Sequence, residues 1–145
     1  MHSRLTLDTH EINALLDAAI AEAALHEWNV SVAVVDDGGH LLAFRRLAGA
    51  SVSSAQIAID KARSAAITRR PTRFFAEMLS GGVPGASSLA GVIPMTGGLP
   101  LVQGDQCLGG IAASGVSAQF DEQIAAAGIR AIGLPENSVG VQARE

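Results

Sequence analysis

The feature that most restricts this chain is how short the connections between its apolar runs are. Residues 30–35 are dominated by β-branched side chains and end in Asp36-Asp37-Gly38-Gly39, after which a second apolar run occupies positions 41–46. That turn supplies residues able to take positive φ, so the two runs are expected to form a hairpin. Further along, Gly97-Gly98 and Gly104-Asp105 separate three more short runs, at 92–95, 100–103 and 107–114. Parallel neighbours need long crossovers, so runs joined by turns this short pair antiparallel. A five-stranded antiparallel sheet is therefore expected.

The remaining segments read as helices that cover such a sheet. Residues 4–27 carry Ile12, Leu15, Leu16, Ala19, Ile20 and Ala23 at helical spacing, and Asp8 and Glu11 stand at the spacing of a capping box. Residues 51–68 form a second helix whose buried face is narrow, with Ala55, Ala58, Ile59, Ala62, Ala65 and Ala66. Pro71 disfavours helical geometry at Arg70 and ends it. A short helix over 72–79 follows, then a loop over 80–91, and a last helix over 121–132 stops at Gly133 and Pro135. The tail, residues 136–145, is weakly specified. No linker or repeat interrupts the chain, so residues 1–145 read as one α/β domain.

Composition removes several functional classes. At 48% hydrophobic and 17% charged the chain is globular, and a formal charge of −4 with scattered basic residues argues against nucleic acid. The apolar runs are too short to span a bilayer, and Asp8, Glu11 and Asp17 interrupt what would be a signal peptide. Cys107 is the single cysteine, so no intrachain disulfide can form and a reducing cytoplasm is the expected setting. No histidine or cysteine pair has metal-ligand spacing, so no metal site is expected.

Ordered motifs carry a family resemblance. They are NVSVAVVD at 29–36, GGHLLAFRR at 38–46, IAIDKAR at 57–63, RRPT at 69–72, GVIPMTGGLP at 91–100, and GGIAASG at 109–115 followed by Asp121-Glu122. Together they resemble the GlcG/HbpS-like family, whose domain also forms the C-terminal part of PduO-type proteins, over about 130 residues. The resemblance implies a profilin-like α/β/α sandwich around a five-stranded antiparallel sheet, assembly into homo-oligomers, and, in some members, haem binding or haem breakdown. Two positions depart from the pattern. Ala48 stands where many members carry Asp, which leaves Arg46 freer to meet an anion. Asn29 stands where some haem-binding members carry a histidine, and asparagine is not a usual iron ligand.

The candidate site residues follow from these two lines. Haem iron needs a His, Cys, Met or Tyr ligand. The candidates are His26, His40 at the start of a strand, Cys107, and Met78 and Met95; there is no tyrosine. For catalysis without a metal, Lys61 and Asp36 are the candidate proton carriers. Lys61 lies in the alanine stripe, where it either snorkels to solvent or sits partly desolvated. Asp36 has capping of the hairpin as its default role. Arg46 is the candidate anion partner, and Arg45, next to it on a strand, points to the other face. Gly97 and Gly98 could offer backbone N–H groups to a carboxylate. Three readings are open. One is a small-ligand-binding protein for haem or a related tetrapyrrole. Another is a cofactor-free enzyme moving a proton on a small carboxylated or carbonyl metabolite. The last is an oligomeric accessory protein without chemistry.

Overall fold

The computed structural model describes residues 1–135. In chain order the elements are α1 (Thr9–Leu25), β1 (Ser31–Asp36), β2 (Leu41–Arg46), α2 (Ser54–Thr68), α3 (Arg73–Ser80), a 3-10 turn (Pro84–Ser88), β3 (Gly98–Gln103), β4 (Gln106–Ser114) and α4 (Ala118–Ala131). The capping box sets the start of α1. Glu11 N donates to Asp8 Oδ1 at 2.8 Å and Asp8 N donates to Glu11 Oε1 at 2.9 Å, so the helix begins after Asp8 and not at residue 4. At the end of α2, Arg69 turns left-handed at φ 56° and its N–H closes on Ala65 O, just ahead of Pro71.

All strand pairs are antiparallel, in the order β2-β1-β4-β3. The sheet has four strands, which corrects the expectation of five. Residues 92–95 do not join it. Pro94 lacks an N–H, and Ile93 N donates to Ser64 Oγ at 2.9 Å, so this segment is held along α2 and has no ladder. Gly97-Gly98 is likewise not a hairpin turn, because Gly98 opens β3.

Strand alternation divides the core into two layers. Val30, Val32 and Val34 face α1 and α4, packing with Leu15, Leu16, Ala19, Ile111, Ile124 and Ile129. Ala33 and Val35 face α2, packing with Ala58, Ala62, Ala66 and Ala112. The second layer is made of small side chains because α2 runs very close to the sheet. A Cβ on Gly110 would strike the backbone of Ala62, and one on Gly98 would strike that of Lys61. This is the expected α/β/α arrangement around an antiparallel sheet. Among the described residues no helix is long and apolar enough to cross a membrane.

Candidate functional site

Lys61 leaves α2 one position before Ala62, where β3 begins. Gly97, with φ +135°, has no side chain to block it there; a Cβ at that position would lie 2.9 Å from the ammonium nitrogen. Lys61 therefore passes the end of the sheet and reaches α4 on the opposite face. Its Nζ donates to Ala113 O at 3.2 Å and to Asp121 Oδ2 at 3.1 Å. The other carboxylate oxygen of Asp121 accepts from Val116 N at 3.1 Å. Both residues are buried, Lys61 to 2% exposure and Asp121 to 3%. Asp121 sits in the first turn of α4, where the helix dipole favours an anion. Burial nevertheless pushes its carboxyl up from the ordinary value, against the lowering pull of Lys61 and the backbone N–H groups.

An ammonium has three N–H groups, and two are used here, so the third has no partner among the described residues. A cleft of about 280 Å³ opens on the pair, walled by Ala76, Met95, Thr96, Val116 and Ala118. Here a cation, a carboxylate with raised proton affinity and an apolar wall meet at one small opening, which is the equipment for moving a proton.

The other residues singled out from the sequence are distributed unevenly around this site. Gly97 and Gly98 lie against Lys61, but Gly98 N is already bonded to Thr72 Oγ1 at 2.9 Å and is not offered to a ligand. Arg46 ends β2 opposite Ser31, which in turn pairs with Ser114, so it lies at the same end of the sheet as Lys61 but two strands away. That is about 10 Å across the ladder. Arg46 is exposed and has no ion-pair partner among the described residues, whereas Arg45 points to the α1 face and lies 3.8 Å from Asp17. Asp36 and His40 are at the far end. Asp36 Oδ1 accepts from Gly38 N and His40 N, both at 2.9 Å, which is the turn-capping role. His40 is exposed there, a strand length from Arg46. Cys107 is part-buried, its Sγ 3.3 Å from Gly109 O, and burial pushes its thiol up.

Two features of this end of the molecule were not singled out from the sequence. One is Asp121 as the partner of Lys61. A signal for the pair was present, since Lys61 is the sole lysine and every other member of the chain's 10 Lys and Arg residues is arginine. The other is an aromatic stack. The His26 ring lies on Trp28 at 4.3 Å between centroids, and Trp28 lies on Phe120 at 4.4 Å. His26 Nε2 is 3.1 Å from Glu22 Oε2, which also accepts from Gln123 Nε2 at 2.8 Å. In a chain with one Trp, four Phe and no Tyr, this stack gathers much of the aromatic content at one place.

A family model described as haem degrading protein HbpS-like matches residues 7–130. Protein GlcG of Escherichia coli strain K12 is 35% identical over 114 residues, covering 79% of this chain and 85% of its own length. The crystal structure of HbpS superposes with a TM-score of 0.84 at 30% identity, covering 92% of this chain and 94% of that one. The crystal structure of a PduOC:heme complex superposes with a TM-score of 0.83 at 26% identity, covering 91% and 99%. With fold, motifs and the match over residues 7–130 in agreement, the chain belongs to the haem degrading protein HbpS-like family.

Proposed function

We propose that the protein binds haem or a related tetrapyrrole at the edge where His26, Trp28 and Phe120 stack. A tetrapyrrole is a flat apolar disc that carries carboxylates and needs an axial donor for its metal. The observation that carries the reading is an exposed histidine held flat on an aromatic surface by a carboxylate at one ring nitrogen. With Nε2 engaged by Glu22, Nδ1 is the nitrogen left for a metal. A carboxylate partner fixes the ring and strengthens it as a donor. Trp28 and Phe120, both half-buried, stack in turn behind the histidine and fix its ring, and Arg46, at the same end of the sheet on its α2 face, is the cation that a propionate reaching around that end would meet. The structure of a relative in complex with haem, and the family's description, support the same ligand class.

When bound, haem would supply a redox-active iron whose reactivity its axial ligand sets. The protein's part is to hold and orient it: Gln123 fixes Glu22, Glu22 fixes His26, and Arg46 meets a carboxylate. A single histidine donor leaves the far face of such a ligand in water, and a second copy of the chain would cover it. The proposal therefore includes a homo-oligomer, working in a reducing cytoplasm where Cys107 stays a thiol.

A haemin titration of the purified protein tests this. A saturable Soret shift at micromolar haemin is expected, lost in His26→Ala and kept in His40→Ala. No saturable shift, or one indifferent to His26→Ala, would overturn the assignment.

A further inference from the structure

The sole lysine of this chain is one of its most buried residues, while every exposed basic position is arginine. The choice has chemical content. A guanidinium keeps its proton in proteins, whereas an amine can give its proton up and act as a nucleophile. Lys61 is also the only basic side chain with a buried carboxylate on it and an apolar cleft in front of it, among the described residues. Arg73 pairs with Glu122 at 2.6 Å, but that pair is more than a quarter exposed on the arginine side.

We propose that Lys61 is an imine-forming amine for a small aldehyde or ketone, with Asp121 carrying the proton. Lys61 Nζ first passes a proton to Asp121 Oδ2, 3.1 Å away, which exchanges an ion pair for a neutral pair in a desolvated place. The free amine adds to the carbonyl carbon, forming the N–C bond, and its second proton moves to the carbonyl oxygen, giving a neutral carbinolamine. Asp121 returns its proton to that hydroxyl, the C–O bond breaks, and water leaves. The product is an iminium on Lys61 paired with the Asp121 carboxylate. No oxidant, reductant or cofactor enters the balance. The site begins and ends with one cation beside one anion, so its electrostatics are the same on both sides of the step.

Three observations favour a carbonyl compound as the ligand. Asp121 already neutralises Lys61, so the pair has little net charge with which to attract a free carboxylate. The third N–H of Nζ has no partner among the described residues, and Lys61 and Asp121 both line the cleft. The cleft, about 280 Å³, lies at the small end for a ligand pocket and suits a small molecule better than a tetrapyrrole. This inference is therefore independent of the haem proposal. An iminium here acidifies the adjacent C–H, which places the reaction among isomerisations and carbon–carbon cleavages next to a carbonyl.

Reductive trapping tests it, and the single lysine makes the readout clean. Folded protein is incubated with propionaldehyde and cyanoborohydride near neutral pH, and propyl groups are located by intact mass and peptide mapping. The chain's amino terminus, the other primary amine, serves as the internal reference. Expected is saturable labelling of Lys61 that outpaces the amino terminus and slows by about a hundredfold in Asp121→Asn, with the terminal rate unchanged. Ala76→Leu, which fills the cleft and leaves the pair intact, should block Lys61 labelling and serves where Asp121→Asn does not fold. Labelling confined to the amino terminus of the folded wild type would overturn the proposal. So would Lys61 labelling that neither variant slows, because a merely structural ion pair predicts that result.

Discussion

Lys61 Nζ and Asp121 Oδ2 lie 3.1 Å apart although their helices pack on opposite faces of the sheet. The contact is made around the sheet's end, beside Gly97, and ties α2 to α4 without passing through a strand. Removing one partner of such a pair leaves an uncompensated charge in a dry place. Lys61→Met and Asp121→Leu should each lower unfolding stability by about 3–5 kcal/mol, and the double variant should recover most of that loss. Denaturant unfolding of the four proteins measures the coupling, and losses that simply add would show the two groups do not interact.

The close approach of α2 to the sheet should make its inner face intolerant of bulk. Ala62→Leu, and Gly110→Ala directly beneath it, should each cost about 1–3 kcal/mol through overpacking. An unchanged melting midpoint for both would mean the helix is not seated where Ala62 and Gly110 meet.

Asp36 should prove to be a turn residue. Asp36→Ala removes two bonds from backbone N–H groups to a carboxylate and should cost about 1.5–3 kcal/mol. Lys61 trapping by propionaldehyde should stay at the wild-type rate, and a large drop there in a folded variant would put Asp36 back among the proton carriers.

Glu22 gives a pH dependence of definite sign. The Gln123 hydrogen bond chiefly holds its carboxyl below the ordinary value of 4.5, against the raising effect of burial, and His26 beside it adds to the lowering. A depressed carboxyl stabilises the fold above its unfolded value, and that contribution is lost as pH falls below 4.5 toward the folded value. Stability measured from pH 6 down to about pH 3 should fall less steeply in Glu22→Gln than in wild type. Parallel curves would remove Glu22 from the acid response.

Arg46 separates ligand binding from assembly. If it meets a propionate, Arg46→Ala should weaken haemin binding by about ten- to hundredfold, with Arg46→Lys recovering only part. If it joins subunits, the variant should change the mass by light scattering while affinity per folded site holds. An intact assembly with unchanged affinity would exclude both roles.

Much of the fold was legible in the sequence because its determinants are local. The capping pair Asp8 and Glu11, the turn after Asp36, the stop at Pro71 and the alternation of Val30 to Val35 each act within a few residues. Periodicity therefore located α1, the hairpin, α2 and β4. Residues 92–95 were misread as a strand for a related reason. Their apolar composition is local information, but whether a strand forms depends on a neighbour's free edge, and this segment found Ser64 of α2 instead.

The site was legible only in pieces. Sequence alone marked Lys61, Gly97 and Gly98 as residues of interest, and the composition already held the clue that Lys61 is the chain's one lysine. What tertiary structure decided is which of the marked residues meet. Asp121 is 60 positions from Lys61 in the chain, and the two are joined because the sheet ends where a glycine leaves room for a side chain to pass. The same geometry separates Asp36 and His40 from Lys61 by the length of a strand, and stacks His26 and Trp28, from the end of α1, with Phe120 of α4. Capping and alternation are written in neighbouring residues, so the sequence determined the elements. Contacts around the end of a sheet depend on how whole layers are seated, so only the folded structure decided the site.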